Sequence, residues 1–318
     1  MKCNRVREMG MADDHARELP VIANHVIREG NGIPLVLVHG FPVDSRMWGR
    51  CAMALMELSD ADELVQYPIW APDMPGAGES PVPTAAQSGR ENEDGSLPDG
   101  LDRIADAYVA LLNDAGYTQA IWAGLSMGGY VVLGIQRRHP QAVAGIALLD
   151  TKGDADSDQA HASRIAIAKE CVERQTTEPV MFFVDVHEGD SSVKKSAAYI
   201  DQFSQWIREQ QPDGVAWRER MAAARPDLND EFAKITAPAA VICGEEDPSS
   251  APAVMRPLAE RMVNTTVVMT EIEDCGHFSA WERPETVARA LHELVSRVPA
   301  AAGADPAAAD AAIAAREA

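Results

Sequence analysis

The chain has 318 residues, with 49 Asp and Glu against 28 Lys and Arg, a formal net charge of −21. That balance offers nucleic-acid phosphates and anionic lipid no overall attraction, and no Lys/Arg-rich run overrides it, so neither a nucleic acid nor a membrane is an expected partner. A hydrophobic fraction of 46% in a chain of this length supplies a sizeable core, either as two small domains or as one large domain with an insertion.

Cys3, Cys51, Cys171, Cys243 and Cys275 are scattered, with no CxxC pair and no His/Cys cluster at zinc spacing. Reduced thiols in a cytoplasmic protein are the simplest reading, and no metal is expected. The N-terminal stretch has no apolar run of signal-peptide type, and no segment approaches the ~20 apolar residues that cross a bilayer. Oligomeric state is open, and a homo-oligomer is allowed.

Residues 1–19 are polar and read as a flexible tail, with Met1, Met9 and Met11 each eligible as the start. Residues 21–28 and 33–39 read as two strands joined as a hairpin through Glu29-Gly30-Asn31-Gly32. Within the second, Leu35-Val36-Leu37-Val38 is a continuous apolar run, as in a strand buried on both faces. A helix is expected at 46–58, a short strand at 67–71 and an amphipathic helix at 101–115, with Ile104, Tyr108, Leu111 and Leu112 on one side. Strand 120–123, helix 127–138 and strand 145–149 follow. The rhythm resumes with strand 239–243, helix 253–262, strand 266–272 and helix 282–298. Such alternation implies an α/β fold, a mostly parallel central sheet with helices on both faces. The core is assigned to 20–150 and 237–298. Residues 151–236 are mainly helical and read as an inserted cap, and 299–318 as an Ala-rich, low-complexity tail. Residues 80–100, rich in Pro, Gly, Ser and acids, read as a mobile surface loop.

The chemistry centres on Gly124-Leu125-Ser126-Met127-Gly128, a Gly-x-Ser-x-Gly pattern between an expected strand and an expected helix. A serine on a tight strand-to-helix turn crowds the backbone two residues either side, where glycine is needed. The same turn leaves the Met127 N–H free at a helix N-terminus, where it favours a developing oxyanion. A serine hydroxyl needs a base. His277, between the last strand and the last helix, is the best placed of the 8 histidines. The acid that orients it is expected between Ser and His in chain order, and Asp247 is favoured over Glu245, Glu246 and Asp150. The loop after the first long strand, His39-Gly40-Phe41-Pro42, supplies the second oxyanion donor at the Phe41 N–H. Removing one such donor typically costs roughly 3–4 kcal/mol of transition-state stabilisation. His39 itself reads as a buried, hydrogen-bonded loop residue.

These elements, with Asp73-Met74-Pro75-Gly76-Ala77-Gly78-Glu79-Ser80, Gly244-Glu245-Glu246-Asp247 and Gly276-His277, resemble the α/β-hydrolase superfamily over about residues 21–298. The resemblance implies a Ser126-Asp247-His277 triad, a Phe41/Met127 oxyanion hole, no cofactor, and a helical cap that shapes the acyl pocket. Met127-Gly128-Gly129-Tyr130 and residues 221–227 look most like the small carboxylesterases and enol-lactonases. Ser126 stands where haloalkane dehalogenases and epoxide hydrolases of the superfamily carry aspartate, which disfavours their chemistry.

The expected activity is a serine esterase acting on a small-molecule carboxylic ester. Alternatives are an enol-lactonase or cofactor-free perhydrolase with the same triad, and a low-turnover ligand-sensing protein. The net charge of −21 disfavours strongly anionic substrates unless cap cations such as Lys169, Lys194 or Lys195 reach the pocket. Of the cap aromatics Phe182, Phe183, Tyr199, Phe203, Trp206 and Trp217, most are expected to pack the cap onto the core.

Overall fold

A computed structural model describes residues 18–61 and 66–299. Residues 1–17 of the expected N-terminal tail, Cys3 among them, and 300–318 of the Ala-rich tail lie outside the described residues. The elements run β1 (Val26–Arg28), β2 (Leu35–Val38), α1 (Gly49–Ala61), β3 (Ile69–Trp70), α2 (Ala85–Ser88), α3 (Gly100–Asp114), β4 (Ala120–Leu125), α4 (Met127–Arg138) and β5 (Val143–Leu149). Then come α5 (Asp158–Arg174), α6 (Ala197–Arg208), α7 (Pro212–Ala223), β6 (Ala239–Gly244), α8 (Pro252–Arg261), β7 (Val267–Ile272), α9 (Ser279–Glu282) and α10 (Pro284–Arg297).

The strands form one 7-stranded sheet in the order β1-β3-β2-β4-β5-β6-β7, parallel throughout except for β1 against β3. Apolarity sorts them. β2, β4 and β6 are buried at every residue and sit inside the sheet, whereas the half-exposed β1 and β7 form its edges. Helices cover both faces, with α1 packed on α10 and α3 on α4.

The expected hairpin does not form. β1 pairs with β3, Val26 opposite Trp70, while β2 lies between β3 and β4. The wholly apolar β2 needs a neighbour on each side, and the partly polar β1 suits an edge. The turn carries the chain past β3, with Asn31 N–H donating to Gln66 O at 2.7 Å.

Strand order also fixes where a site can open. From β2 the chain moves outward to β3, then returns to the other side of β2 for β4. A crevice is therefore left at the carboxyl ends of β2 and β4, where the connections diverge. Between β5 and β6 the chain forms helices and turns without a strand. Among the described residues, no helix is long and apolar enough to cross a membrane, and Cys51, Cys171, Cys243 and Cys275 are free and buried.

Residues 80–100 are not a free loop. Thr84 and Gln87 close a capping box on α2. The Ser88 hydroxyl accepts a 2.8 Å hydrogen bond from Trp217 Nε1, and Leu97 N–H donates to Arg220 O at 3.0 Å. Leu97 is buried, so this stretch is tied to α7 rather than to solvent. Its Gly, Pro and Ser content gives tight turns, and its few apolar groups find cover that composition does not disclose.

The seating of α7 depends on a glycine pair. A Cβ added at Gly214 would lie 1.9 Å from Gly76 O, so the helix backbone rests directly on the loop after β3. Gly214→Ala is expected to force this contact apart and destabilise the protein by roughly 1–3 kcal/mol, read as a lower midpoint in urea unfolding.

Candidate active site

At the carboxyl end of β4 the chain turns sharply into α4 through Ser126, whose backbone has φ 55 and ψ −114. A non-glycine residue held there stores about 1–3 kcal/mol of strain, sustained only by its surroundings. Those surroundings are dense. Ser126 N–H donates to Leu149 O at 2.9 Å, and its carbonyl accepts from Gly129 N–H at 2.9 Å and Thr151 Oγ1 at 2.7 Å. A Cβ at Gly124 would stand 2.3 Å from Gly128 O, and one at Gly128 would stand 2.2 Å from Val38 O. Both glycines of the Gly-x-Ser-x-Gly pattern are thus required by close backbone approach.

His277 follows β7 and reaches back to this turn. Its Nε2 lies 2.8 Å from Ser126 Oγ, and its Nδ1 lies 2.8 Å from Asp247 Oδ2. Asp247, on the loop after β6, is buried and also accepts hydrogen bonds from Ser249 N–H at 2.8 Å, Ser249 Oγ at 3.0 Å and Ser250 Oγ at 2.6 Å. Burial alone would raise the Asp247 pKa, but the His277 charge and these donors outweigh it and hold the carboxyl well below its ordinary range. Burial likewise favours neutral His277, yet the Asp247 charge and hydrogen bond prevail and raise its pKa above 6.5.

Sequence order left Glu245, Glu246 and Asp150 as rival acids, and none of them contacts the imidazole. Glu245 is exposed. Glu246 accepts from Cys275 N–H at 2.7 Å and so braces the loop that carries His277. Asp150 is fully buried beside the site, where its carboxyl accepts from Gly244 N–H at 3.0 Å and is hydrogen-bonded to the Ser279 hydroxyl. Burial, reinforced by the Asp247 charge, pushes its pKa well above 3.8. Sequence reasoning missed Glu282. Its buried carboxylate accepts from Gly276 N–H at 2.7 Å and Phe278 N–H at 3.2 Å, gripping the backbone on both sides of His277. A glutamate five residues beyond a candidate histidine gave no signal distinct from an ordinary helix start.

Phe41 and Met127 are the two residues expected to present oxyanion donors. Both residues line one cavity of about 630 Å³ with Ser126 and His277. Among the described residues neither N–H has a backbone acceptor. The peptide plane that carries the Phe41 N–H is set by His39, whose Nδ1 donates to Gly40 O at 2.9 Å while its Nε2 accepts from Met74 N–H at 2.8 Å. These partners require neutral His39, and burial lowers its pKa accordingly. His39 is therefore a structural donor, as its loop position suggested. Phe182, Phe183 and Tyr199 also line the cavity. Phe203 and Trp206 instead pack on Trp281, and Trp217 is buried against Ser88. Of the lysines singled out in the sequence, Lys194 lines the cavity, paired with Asp190 at 3.2 Å, while Lys169 does not line it and pairs with Glu173 at 3.7 Å. Among the described residues, no group of three or more His, Cys, Asp and Glu is arranged to hold a metal ion.

Residues 35–290 match the model of a family described as the alpha/beta hydrolase family. An (E)-2-((N-methylformamido)methylene)succinate hydrolase of Acinetobacter baylyi is 24% identical over 86% of this chain and 95% of its own. Among solved structures, a thermophilic esterase from Thermogutta terrifontis, studied with malate bound, has a TM-score of 0.72 at 29% identity, covering 87% of this chain and 93% of that one. An enol-lactonase from Burkholderia xenovorans shares the fold with a TM-score of 0.67 at 20% identity, covering 87% and 96%.

Asp150 gives the site a pH signature in stability. Its carboxyl holds a proton in the folded chain at pH values where the unfolded chain has released it. The associated stability is complete below the unfolded value, near 3.8, and is lost as pH rises through the folded one. Asp150→Asn cannot ionise, so its unfolding free energy is expected to fall less between pH 5 and pH 8 than the wild type's. An equal fall in the two proteins, read as unfolding free energies from urea titrations at both pH values, would mean that Asp150 is ionised in the fold.

Proposed function

Because the chain belongs to the alpha/beta hydrolase family, we propose that it is a serine hydrolase that cleaves a small carboxylic ester through an acyl-enzyme intermediate. The observation that carries this reading is the unbroken relay Ser126 Oγ, His277 Nε2, His277 Nδ1, Asp247 Oδ2, with 2.8 Å at each hydrogen bond. Ser126 Oγ attacks the ester carbonyl while His277 Nε2 takes its proton. Asp247, already ionised, holds the Nδ1–H tautomer and stabilises the imidazolium as it forms. The Phe41 and Met127 N–H groups receive the oxyanion of the tetrahedral intermediate. His277 returns its proton to the departing alcohol oxygen. A water then attacks the acyl-enzyme, gives its proton to His277, and the acid leaves as Ser126 regains its hydrogen. Each step uses only the chain's own groups and water.

Hydrolysis of p-nitrophenyl esters of increasing acyl length tests this. A burst followed by steady turnover is expected, with kcat at least about 10⁴-fold lower in Ser126→Ala. Turnover retained in that variant would sink the acyl-enzyme route, and no turnover by the wild type on any ester would turn attention to lactones or ligand sensing.

Lys152 favours a narrower, second reading, in which the ester also carries a carboxylate. Four cationic side chains line the cavity, Lys152, Arg164, Lys194 and Arg225. Arg164 pairs with Asp156 and with Glu219 at 2.7 Å, Arg225 with Asp156 at 2.5 Å, and Lys194 with Asp190. Lys152 alone of the four forms no ion pair among the described residues. It adjoins Thr151, whose hydroxyl bonds Ser126 O, so it lies one residue from a direct contact with the nucleophile's backbone. The Acinetobacter relative is a hydrolase of a substituted succinate, and the Thermogutta esterase was studied with malate, both carboxylates. A charge-assisted contact contributes about 1.5–3 kcal/mol. Lys152→Gln is therefore expected to lower kcat/KM for monoethyl succinate about 10-fold or more and to leave ethyl butyrate within about twofold. An equal change on both esters would reject the carboxylate subsite.

A further inference from the structure

Arg218, on α7 of the helical insertion, is fully buried. Its guanidinium meets carbonyls rather than a carboxylate. Nη1 donates to Pro42 O at 3.3 Å and Val43 O at 3.1 Å, Nη2 to Gln210 Oε1 at 3.0 Å, and Nε to Gly214 O at 3.2 Å. The guanidinium carbon also lies 5.3 Å from the centre of the Phe41 ring. Taking an arginine wholly out of water without an opposing charge in contact costs several kcal/mol, and an apolar residue of similar volume would be cheaper for folding alone. Burial lowers its pKa to about 10, so the group stays charged at neutral pH.

The placement of those contacts identifies what the charge does. Pro42 and Val43 are the two residues that follow Phe41, and their carbonyls are the ones turned toward Arg218. From the core side, His39 holds the carbonyl of Gly40, the residue before Phe41. The segment that presents the Phe41 N–H to the cavity is therefore gripped on both sides, once from the core and once from the insertion. Gln210 extends the second grip, since its Nε2 donates to Asp44 Oδ2 at 2.7 Å, just beyond Val43. α7 itself is seated by the Gly214–Gly76 contact, so the guanidinium has a rigid base.

We propose that Arg218 is a positioning residue for the oxyanion hole, a clamp by which the helical insertion sets the direction of the Phe41 N–H. The inference rests on the serine-hydrolase reading and adds to it a dependence of the transition state on a residue that never meets the substrate. Misplacing a catalytic donor by about 1 Å costs on the order of 100-fold, and the loss falls on the charged intermediate rather than on the neutral ester.

Arg218→Lys tests this, because lysine keeps the charge but cannot span Pro42 O, Val43 O and Gln210 at once. With active sites counted by the burst, kcat on a p-nitrophenyl ester is expected to fall on the order of 100-fold while KM changes less than about threefold. Affinity for a boronic acid that forms a tetrahedral adduct at Ser126 is expected to weaken as kcat falls. If Arg218→Lys does not fold, Gln210→Leu removes one of the contacts and is expected to lower kcat about 3–10-fold at unchanged KM. A merely structural residue would lower the melting temperature and the number of active sites but leave kcat per site intact, and that result would overturn the proposal. A wild type inert toward every ester would instead overturn the hydrolase reading beneath it.

Discussion

The site depends on how closely the start of α4 approaches the end of β2. Gly128 allows that approach, since any side chain there would lie 2.2 Å from the Val38 carbonyl. The parallel register that pairs Val38 with Gly124 then sets the turn at Ser126 beside the loop that begins at His39. Phe41 and Met127, from distant parts of the chain, come to one cavity through this single backbone contact. The strain at Ser126 is sustained by the same packing, through the Leu149, Gly129 and Thr151 hydrogen bonds.

Around that contact the fold assigns its acids different work by environment. Asp247 and Asp150 are both buried aspartates at the carboxyl ends of neighbouring strands. The first faces an imidazole and three hydroxyl or amide donors and is held ionised. The second is pushed toward its neutral form by complete burial, with the Asp247 charge nearby adding to it. Glu282 meets backbone N–H groups and holds His277 in place. The carboxylate that bonds the imidazole thus differs from its neighbours in partners rather than in residue type.

The helical insertion contributes more than a cover. Its aromatics divide between the cavity wall, at Phe182, Phe183 and Tyr199, and the packing against Trp281, at Phe203 and Trp206. Its cavity-lining cations are paired in place except Lys152, with Asp156 shared by Arg164 and Arg225 and Asp190 on Lys194, so the overall −21 says little about the cavity itself. Residues 80–100 belong to the same assembly through Ser88 and Leu97, an attachment invisible to composition because a loop and a tethered loop use the same turn residues.

The alternating elements, the glycines flanking Ser126 and the loop positions of Phe41, Asp247 and His277 were legible in the sequence, because period, chain order and the steric demands of a tight turn are local properties. The pairing of β1 with β3 rather than β2 was not, because an edge position is decided by which strand can bear exposure. Nor were Glu282, Lys152 and Arg218, each one charge among many along the chain. Their roles follow from burial, from neighbours as distant in sequence as Pro42 is from Arg218, and from whether a counter-charge is present, and only the tertiary structure decides those.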